Sequence, residues 1–366
     1  MSKKYPVNEL VEGMIVDEGV YGEGETRVPL VAKNQVLTNY LIEKLRTNGV
    51  ATVKILAQAG NSKMIDIQKR PPIITPRLRK EALDFLQDTF SFAAQMESGN
   101  IVATRTVKKL DTLVSRLIVA ITRDKQAMVN INDLKSYDEY TYHHSLSVAV
   151  LAIAIAHQLG FSGVKLTQLG KTAIMHDIGK TRVPIQLINK PAKLDQEEFH
   201  IVQTHSQEGY RFLVDQGIGD TELWASVKHH HEKMDGSGYP NGLEGEDIPV
   251  MSRIIAVADV YDALTSKRPY RKPIQPAEAL EYIMGGSGTF FDYDMVLAFI
   301  KKIDPYPKGT LVELSNDKIA IVVDNEFPMR PVVQTLSNGE ILDLNNDRRC
   351  LSILIRNTYD EMAMPG

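Results

Sequence analysis

The chain has 366 residues and a formal net charge of −4, with 43% hydrophobic and 24% charged residues. That balance is an ordinary globular one, long enough for two or three domains, and it gives no global attraction for polymeric nucleic acid or an anionic membrane. The single cysteine, Cys350, excludes an intramolecular disulfide and a cysteine-rich zinc module, and reads as a small buried hydrophobe.

The opening Met1-Ser-Lys-Lys-Tyr-Pro6 leads into no apolar segment, and no run of about 18 apolar residues follows anywhere. A cytoplasmic protein without membrane insertion is expected. Residues 1–68 carry short apolar runs, Gly13-Met-Ile-Val16, Val28-Pro-Leu-Val31 and Ala51-Thr-Val-Lys-Ile-Leu56, around one helical stretch from Asn39 to Thr47. This predicts a small α+β N-terminal domain. The segment Lys69-Arg-Pro-Pro-Ile-Ile-Thr-Pro76 reads as a linker, because its three prolines lack donors and fix φ. Two helices are expected within 69–130, one with Ala82, Leu86, Phe90 and Ala93 on a face and one with Val107, Leu110, Val114, Leu117 and Ile121, broken at Ser98-Gly99-Asn100. Their apolar stripes suit packing on the next domain or pairing in a homodimer.

Residues 131–305 read as helix after helix, a helical domain. The expected helices run from His144 to Leu159 with Gly160 behind it, from Val164 to His176, from Asp195 to Asp215, from Glu222 to His230 and from Pro249 to Thr265. Asp195 and Glu198 have the spacing of a capping box. Residues 306–366 turn β-rich, with runs Thr310–Leu314, Lys318–Val323, Arg330–Leu336 and Leu351–Ile355 and a hairpin turn at Asn338-Gly339, predicting a small sheet or barrel.

Five of the nine histidines fall in one set with two aspartates: His144, His176-Asp177, His205, His230-His231 and Asp259. Each lies on or at the end of a different expected helix. Neighbours on a helix point about 100° apart, so His176 and Asp177 can both face one cavity. An imidazole binds one metal ion, whereas a carboxylate can bridge two. Histidine and aspartate without thiolate suit iron, manganese or zinc better than calcium. In His176-Asp-Ile-Gly-Lys180, Gly179 is expected to let the chain turn and aim Lys180 at what the metals hold. The other histidines, His143, His157, His200 and His229, read as surface or satisfied core residues. Gly238-Tyr239-Pro240 sits among turn residues and reads first as a cavity wall.

With these motifs the sequence resembles the HD-GYP subgroup of the HD phosphohydrolases. The resemblance rests on His144-Ser145, His176-Asp-Ile-Gly-Lys180, Lys190-Pro191, His205 with Gly209, His230-His-Glu232, Asp235-Gly-Ser-Gly-Tyr-Pro240, Ala258-Asp-Val-Tyr-Asp-Ala-Leu264 and Arg268-Pro-Tyr-Arg271. It implies a multidomain protein whose all-α HD-type helical catalytic domain at 131–305 is joined to the small α+β N-terminal domain and the β-rich tail. The N-terminal module is similar to a domain of unknown function that precedes the catalytic domain in one branch of the family. The implied activity is hydrolysis of cyclic di-GMP to pGpG, which many members of the family carry onward to GMP; the sequence leaves the final product, pGpG or GMP, open. The implied ligands of two divalent ions, iron or manganese, are His144, His176, Asp177, His205, His230, His231 and Asp259, with Asp177 as the bridge. His176, Asp177 and Lys180 are the implied catalytic residues. Lys180, Arg268 and Arg271 match the family's phosphate contacts, and Tyr239 would stack on a guanine or take part in protein contacts through its loop.

Members of the family with a third metal carry a glutamate four residues before the first histidine, where this chain has Tyr140; two ions are therefore expected. Glu139 would point about 140° away from His144 on an ideal helix. Asp262 is expected to be structural. In the implied mechanism a hydroxide bridging the metals attacks phosphorus and the 3′ oxygen leaves, with no residue marked as general acid. The alternatives are a weakly active cyclic-dinucleotide sensor or interaction scaffold, and a hydrolase of another cyclic dinucleotide.

Overall fold

The structure is a computed structural model, and it describes residues 3–11, 14–22, 29–31, 37, 39–57, 72–95, 104–124, 128–130, 134, 140–217, 221–266 and 273–359. The chain divides into two compact units, one formed by residues 1–70 and 306–366 and the other by 71–305.

In the N-terminal part of the first unit, β1 (Lys3–Pro6), β2 (Ile15–Val16) and β3 (Thr52–Ala57) form an antiparallel sheet in the order β1-β3-β2. The helix α1 (Asn39–Thr47) spans the residues expected of it and buries Leu41, Ile42 and Leu45 beside Val53 and Ile55. Strand β1 has no apolar signature, since it is Lys-Lys-Tyr-Pro. Its place comes from backbone pairing with β3, Lys3 opposite Ile55 and Pro6 opposite Thr52.

The second unit is helical. It contains α2 (Pro76–Gln95), α3 (Thr104–Thr122), α4 (Tyr140–Gln158), α5 (Gly163–Met175), the single turn α6 (Ile185–Ile188), α7 (Gln196–Asp215), α8 (Thr221–Lys228), α9 (Val250–Thr265), α10 (Pro276–Gly285) and α11 (Tyr293–Ile300). Ten buried apolar residues, Leu146 and Val148 to Ala156, make α4 apolar on every side, and it is accordingly the central helix, packed by α5, α9, α3, α2 and α11. The stripes of α2 and α3 are used within the chain: Ala82, Leu86, Phe90, Ala93, Leu110, Val114, Leu117 and Ile121 are buried, and the two helices pack on α4 and α5. The break at Ser98-Gly99-Asn100 lies outside the described residues. Asp195 accepts from the Glu198 amide while Glu198 accepts from the Asp195 amide, completing the capping box that starts α7. Among the described residues no helix is long and apolar enough to cross a membrane.

The C-terminal part of the first unit is a five-stranded antiparallel sheet of β4 (Leu311–Leu314), β5 (Ile319–Asp324), β6 (Val332–Thr335), β7 (Ile341–Asp343) and β8 (Ile355–Tyr359), ordered β7-β6-β5-β4-β8. Asn338-Gly339 turns the hairpin, with Gly339 at φ 70°, but its second strand is β7 rather than a run at 351–355. The apolar run Leu351–Ile355 becomes strand only from Ile355. The Arg330 guanidinium donates to the carbonyls of Leu344, Cys350, Leu351 and Ile353, which takes those groups out of any ladder. Cys350 is buried, as expected, and burial pushes its thiol pKa up.

Candidate metal centre

Five helices and the turns that end them bring the seven implied ligands together around one carboxylate. Helix α5 stops at Met175; His176 keeps helical angles, and Asp177 leaves them at φ −99° and ψ 7°. That departure turns the adjacent side chains toward each other, with His176 Nε2 3.3 Å from Asp177 Oδ2. His144 enters from the second turn of α4, its Nε2 3.4 Å from the same Oδ2 and 3.1 Å from Asp259 Oδ1 on α9. The other oxygen, Asp177 Oδ1, lies 3.5 Å from His205 Nε2 on α7. His205 Nε2 is in turn 3.4 Å from His230 Nε2 and 3.2 Å from His231 Nε2, both just past the end of α8. His144, His176 and Asp259 form one tight donor group, and His205, His230 and His231 another. Asp177 stands between them with one oxygen on each side.

Hydrogen bonds at the far edge of each ring decide which nitrogen faces inward. Nδ1 of His176, His205 and His230 lies 2.8, 2.7 and 2.6 Å from the carbonyls of Ala173, Val202 and Val227, each three residues earlier. A carbonyl only accepts, so each Nδ1 carries the proton and each Nε2 presents a bare lone pair to the cavity. His144 is held by a side chain instead: its Nδ1 is 2.7 Å from Asp262 Oδ2. Asp259 and Asp262, three apart on α9, thus grip the two nitrogens of one imidazole. Asp262, expected to be structural, does hold a side chain in place, and the side chain it orients is His144.

The electrostatics favour an added cation. Burial would raise the Asp177 pKa, but Lys180, with Nζ 2.5 Å from Oδ2, and the facing histidines hold it well below the usual carboxylate range. Burial lowers the His205 pKa to about 4 and that of His231 to about 3, and pushes His230 down as well. At neutral pH these rings are uncharged, so the lone pairs of His205 and His230 face each other with no proton between them. Among the described residues, the buried carboxylates Asp177, Asp259 and Asp262 are faced by one lysine, Lys180. Among the same residues, Asp177 Oδ1 and His176 Nε2 have no hydrogen-bond partner. Inward lone pairs, excess negative charge and unmatched buried polar atoms together suit divalent ions bound by nitrogen and oxygen.

Two glycines are needed to close the site. A Cβ on Gly179 would strike the His205 carbonyl and the Gly209 backbone, so the turn Ile178–Arg182 lies directly on α7. The chain turns here as expected, without a positive φ at Gly179; what the glycine supplies is this close approach, which seats Asp177 against His205. A Cβ on Gly238 would meet the backbone of His231, Glu232 and Lys233 at 2.5–2.6 Å. Glu232 ties that loop down, accepting from the amides of Asn241 and Leu243 at 2.8 and 3.1 Å. The Tyr239 ring consequently lies over His231, centroids 4.7 Å apart and planes 31° apart. Of the other histidines, His229 turns to Glu232, His200 to Gln203, and His143 meets Arg79. The ligand-facing pair is thus His230-His231. Arg268, Arg271 and Glu139 lie outside the described residues.

Residues 128–295 match a family model described as HD domain. The matched segment carries every one of the seven clustered side chains, the His176-Asp177 pair among them. A protein of Pseudomonas aeruginosa named cyclic di-GMP phosphodiesterase PA4108 is 40% identical over 212 residues, 58% of this chain and 51% of that protein. A cyclic di-GMP phosphodiesterase of Thermotoga maritima is 39% identical over 173 residues, 47% of each chain. A protein of Vibrio cholerae named 3'3'-cGAMP-specific phosphodiesterase 1 is 42% identical over 144 residues, 39% of this chain and 33% of that protein. The chain spans about half the length, or less, of these curated relatives.

Proposed function

We propose that the HD domain hydrolyses a cyclic dinucleotide, cyclic di-GMP first, opening it to pGpG and continuing to GMP. The observation that carries this reading is the seven-residue cluster with one Asp177 oxygen on each side. The names of relatives about 40% identical across the same region supply the substrate class. His144, His176, Asp177 and Asp259 would hold one ion, and Asp177, His205, His230 and His231 the second, iron or manganese by donor type. When bound, two such ions lower the pKa of water and neutralise charge on phosphoryl oxygens.

The chain's own groups do the rest. Lys180 keeps an ammonium beside Asp177, placed to meet a non-bridging phosphate oxygen and stabilise the charge that grows there in the transition state. Arg268 and Arg271 follow α9 in sequence and would complete the phosphate contacts. Tyr239 walls the second half of the cavity, its ring lying over His231. Tyr140 stands one helical turn before His144 as the first residue of α4, where a third ion would call for a carboxylate, so two ions are proposed.

The test is purified protein reconstituted with manganese or iron(II) and assayed for conversion of cyclic di-GMP, beside His176→Ala. Turnover that the variant loses supports the reading. A fully metallated protein that binds but does not cleave would make it a sensor instead. The Vibrio cholerae relative favours a second substrate, 3'3'-cGAMP. Comparing kcat/KM for the two rings assigns the preference.

A further inference from the structure

The outer wall of the site is aromatic. Phe199, in the first turn of α7, is 47% exposed although Gln196, Glu197 and His200 around it are polar and exposed. Its ring centroid is 6.3 Å from that of Tyr239, the planes at 81°, and Tyr239 in turn lies over His231. Three rings therefore lead outward from the ligand cluster. One face of Tyr239 is taken by His231 and its ring is half-buried, so Phe199 is the more exposed ring of the series. It precedes His205 by six residues, which places it about 9 Å further along the α7 axis. In a nucleotide the base lies one ribose away from the phosphate, and a phosphate held at the cluster would bring its base to this wall.

We infer that Phe199 is a stacking platform for a nucleobase of the substrate. The inference rests on the function proposed above and adds a specificity-determining residue to it. An exposed phenyl ring offers a base the π-face contact that gives single-strand binding proteins much of their affinity, and every base has such a face. The platform thus favours nucleotides over base-free phosphodiesters and treats guanine and adenine alike. The competing role, a wedge that keeps Tyr239 against His231, would act on every diester equally.

Those roles separate in one experiment. Phe199→Ala, Phe199→Leu and Phe199→Trp are compared with the wild type on cyclic di-GMP and on an analogue of the same ring in which both bases are replaced by hydrogen. The expected result is a fall of about tenfold in the ratio of kcat/KM for cyclic di-GMP to that for the analogue in Phe199→Ala. Phe199→Leu, apolar but without a π-face, should fall with it, and Phe199→Trp should keep the ratio. Replacing cyclic di-GMP by 3'3'-cGAMP should give the same fall. An unchanged ratio in Phe199→Ala, including an equal loss on both ligands, overturns the inference. Should the wild type turn over neither ring, the proposed function fails by itself, and the ratio of dissociation constants of the same two ligands then decides the platform in the same way.

Discussion

The two halves of the candidate centre are built by different means. On one side His144 takes its orientation from a side chain, Asp262, while its neighbour His176 is held by the Ala173 carbonyl, and a second carboxylate, Asp259, completes the group. On the other, His205 and His230 are aimed by main-chain carbonyls, and the donors are three imidazoles and a single oxygen of Asp177. The first half is the more anionic, and one substitution can disorient its ligand. The second is neutral apart from the shared carboxylate, and it depends on backbone packing that few substitutions reach. Asp177 is what the halves have in common.

Substitutions can break that comparison in order of expected effect. Asp177→Asn removes the charge that both halves share and should lower diester hydrolysis at least about a thousandfold, the several kcal/mol that metal ions supply to such reactions. A residual rate within tenfold of wild type would show that the bridge is dispensable. Asp262→Ala should weaken metal affinity by about 10- to 100-fold, the usual cost of losing a group that orients a ligating histidine, and should do so for one ion of the two. Titration calorimetry showing both ions weakened equally would remove the distinction between the halves.

Backbone packing is probed by Gly179→Ala, which sets a methyl against the His205 carbonyl and Gly209. Overpacking of this kind costs about 1–3 kcal/mol, read as a lowered midpoint of chemical denaturation. A variant as stable as wild type would mean that the turn and α7 separate freely. The smallest effect is one of pH on the chelated, metal-free protein. His205 and His231 have pKa values of about 4 and about 3 in the folded state, below the ordinary 6.5. Between these values the unfolded chain binds more protons than the folded one, so stability is complete above about pH 6.5 and lost as pH falls toward 4. Thermal melts should show the melting temperature dropping across that interval, and a flat profile would contradict the burial of the neutral rings.

Much of the site was legible because its chemistry is local in sequence. The His176-Asp177 pair, the two histidines after α8 and Asp259 are each marked by residue type, and the helices that carry them by apolar spacing; α1 and α7 lie within a residue of the expected bounds. What the sequence could not show depends on contacts between distant segments. The role of Gly179 is set by α7, the grip of Asp262 on His144 joins residues 118 apart, and Phe199 meets Tyr239 only once the loop behind His231 is folded down by Glu232. Strands β1 and β7 escaped for a similar reason. Each is short, with little apolar alternation, and forms because a longer neighbour offers its backbone.

The central claim is that two ions share Asp177. Metal content per chain, measured by mass spectrometry after reconstitution with manganese and removal of free metal, tests it most directly on the wild type, His231→Ala and Asp177→Asn. The account predicts two ions, one ion and less than one ion respectively. Three ions in the wild type, or two retained by Asp177→Asn, would contradict it.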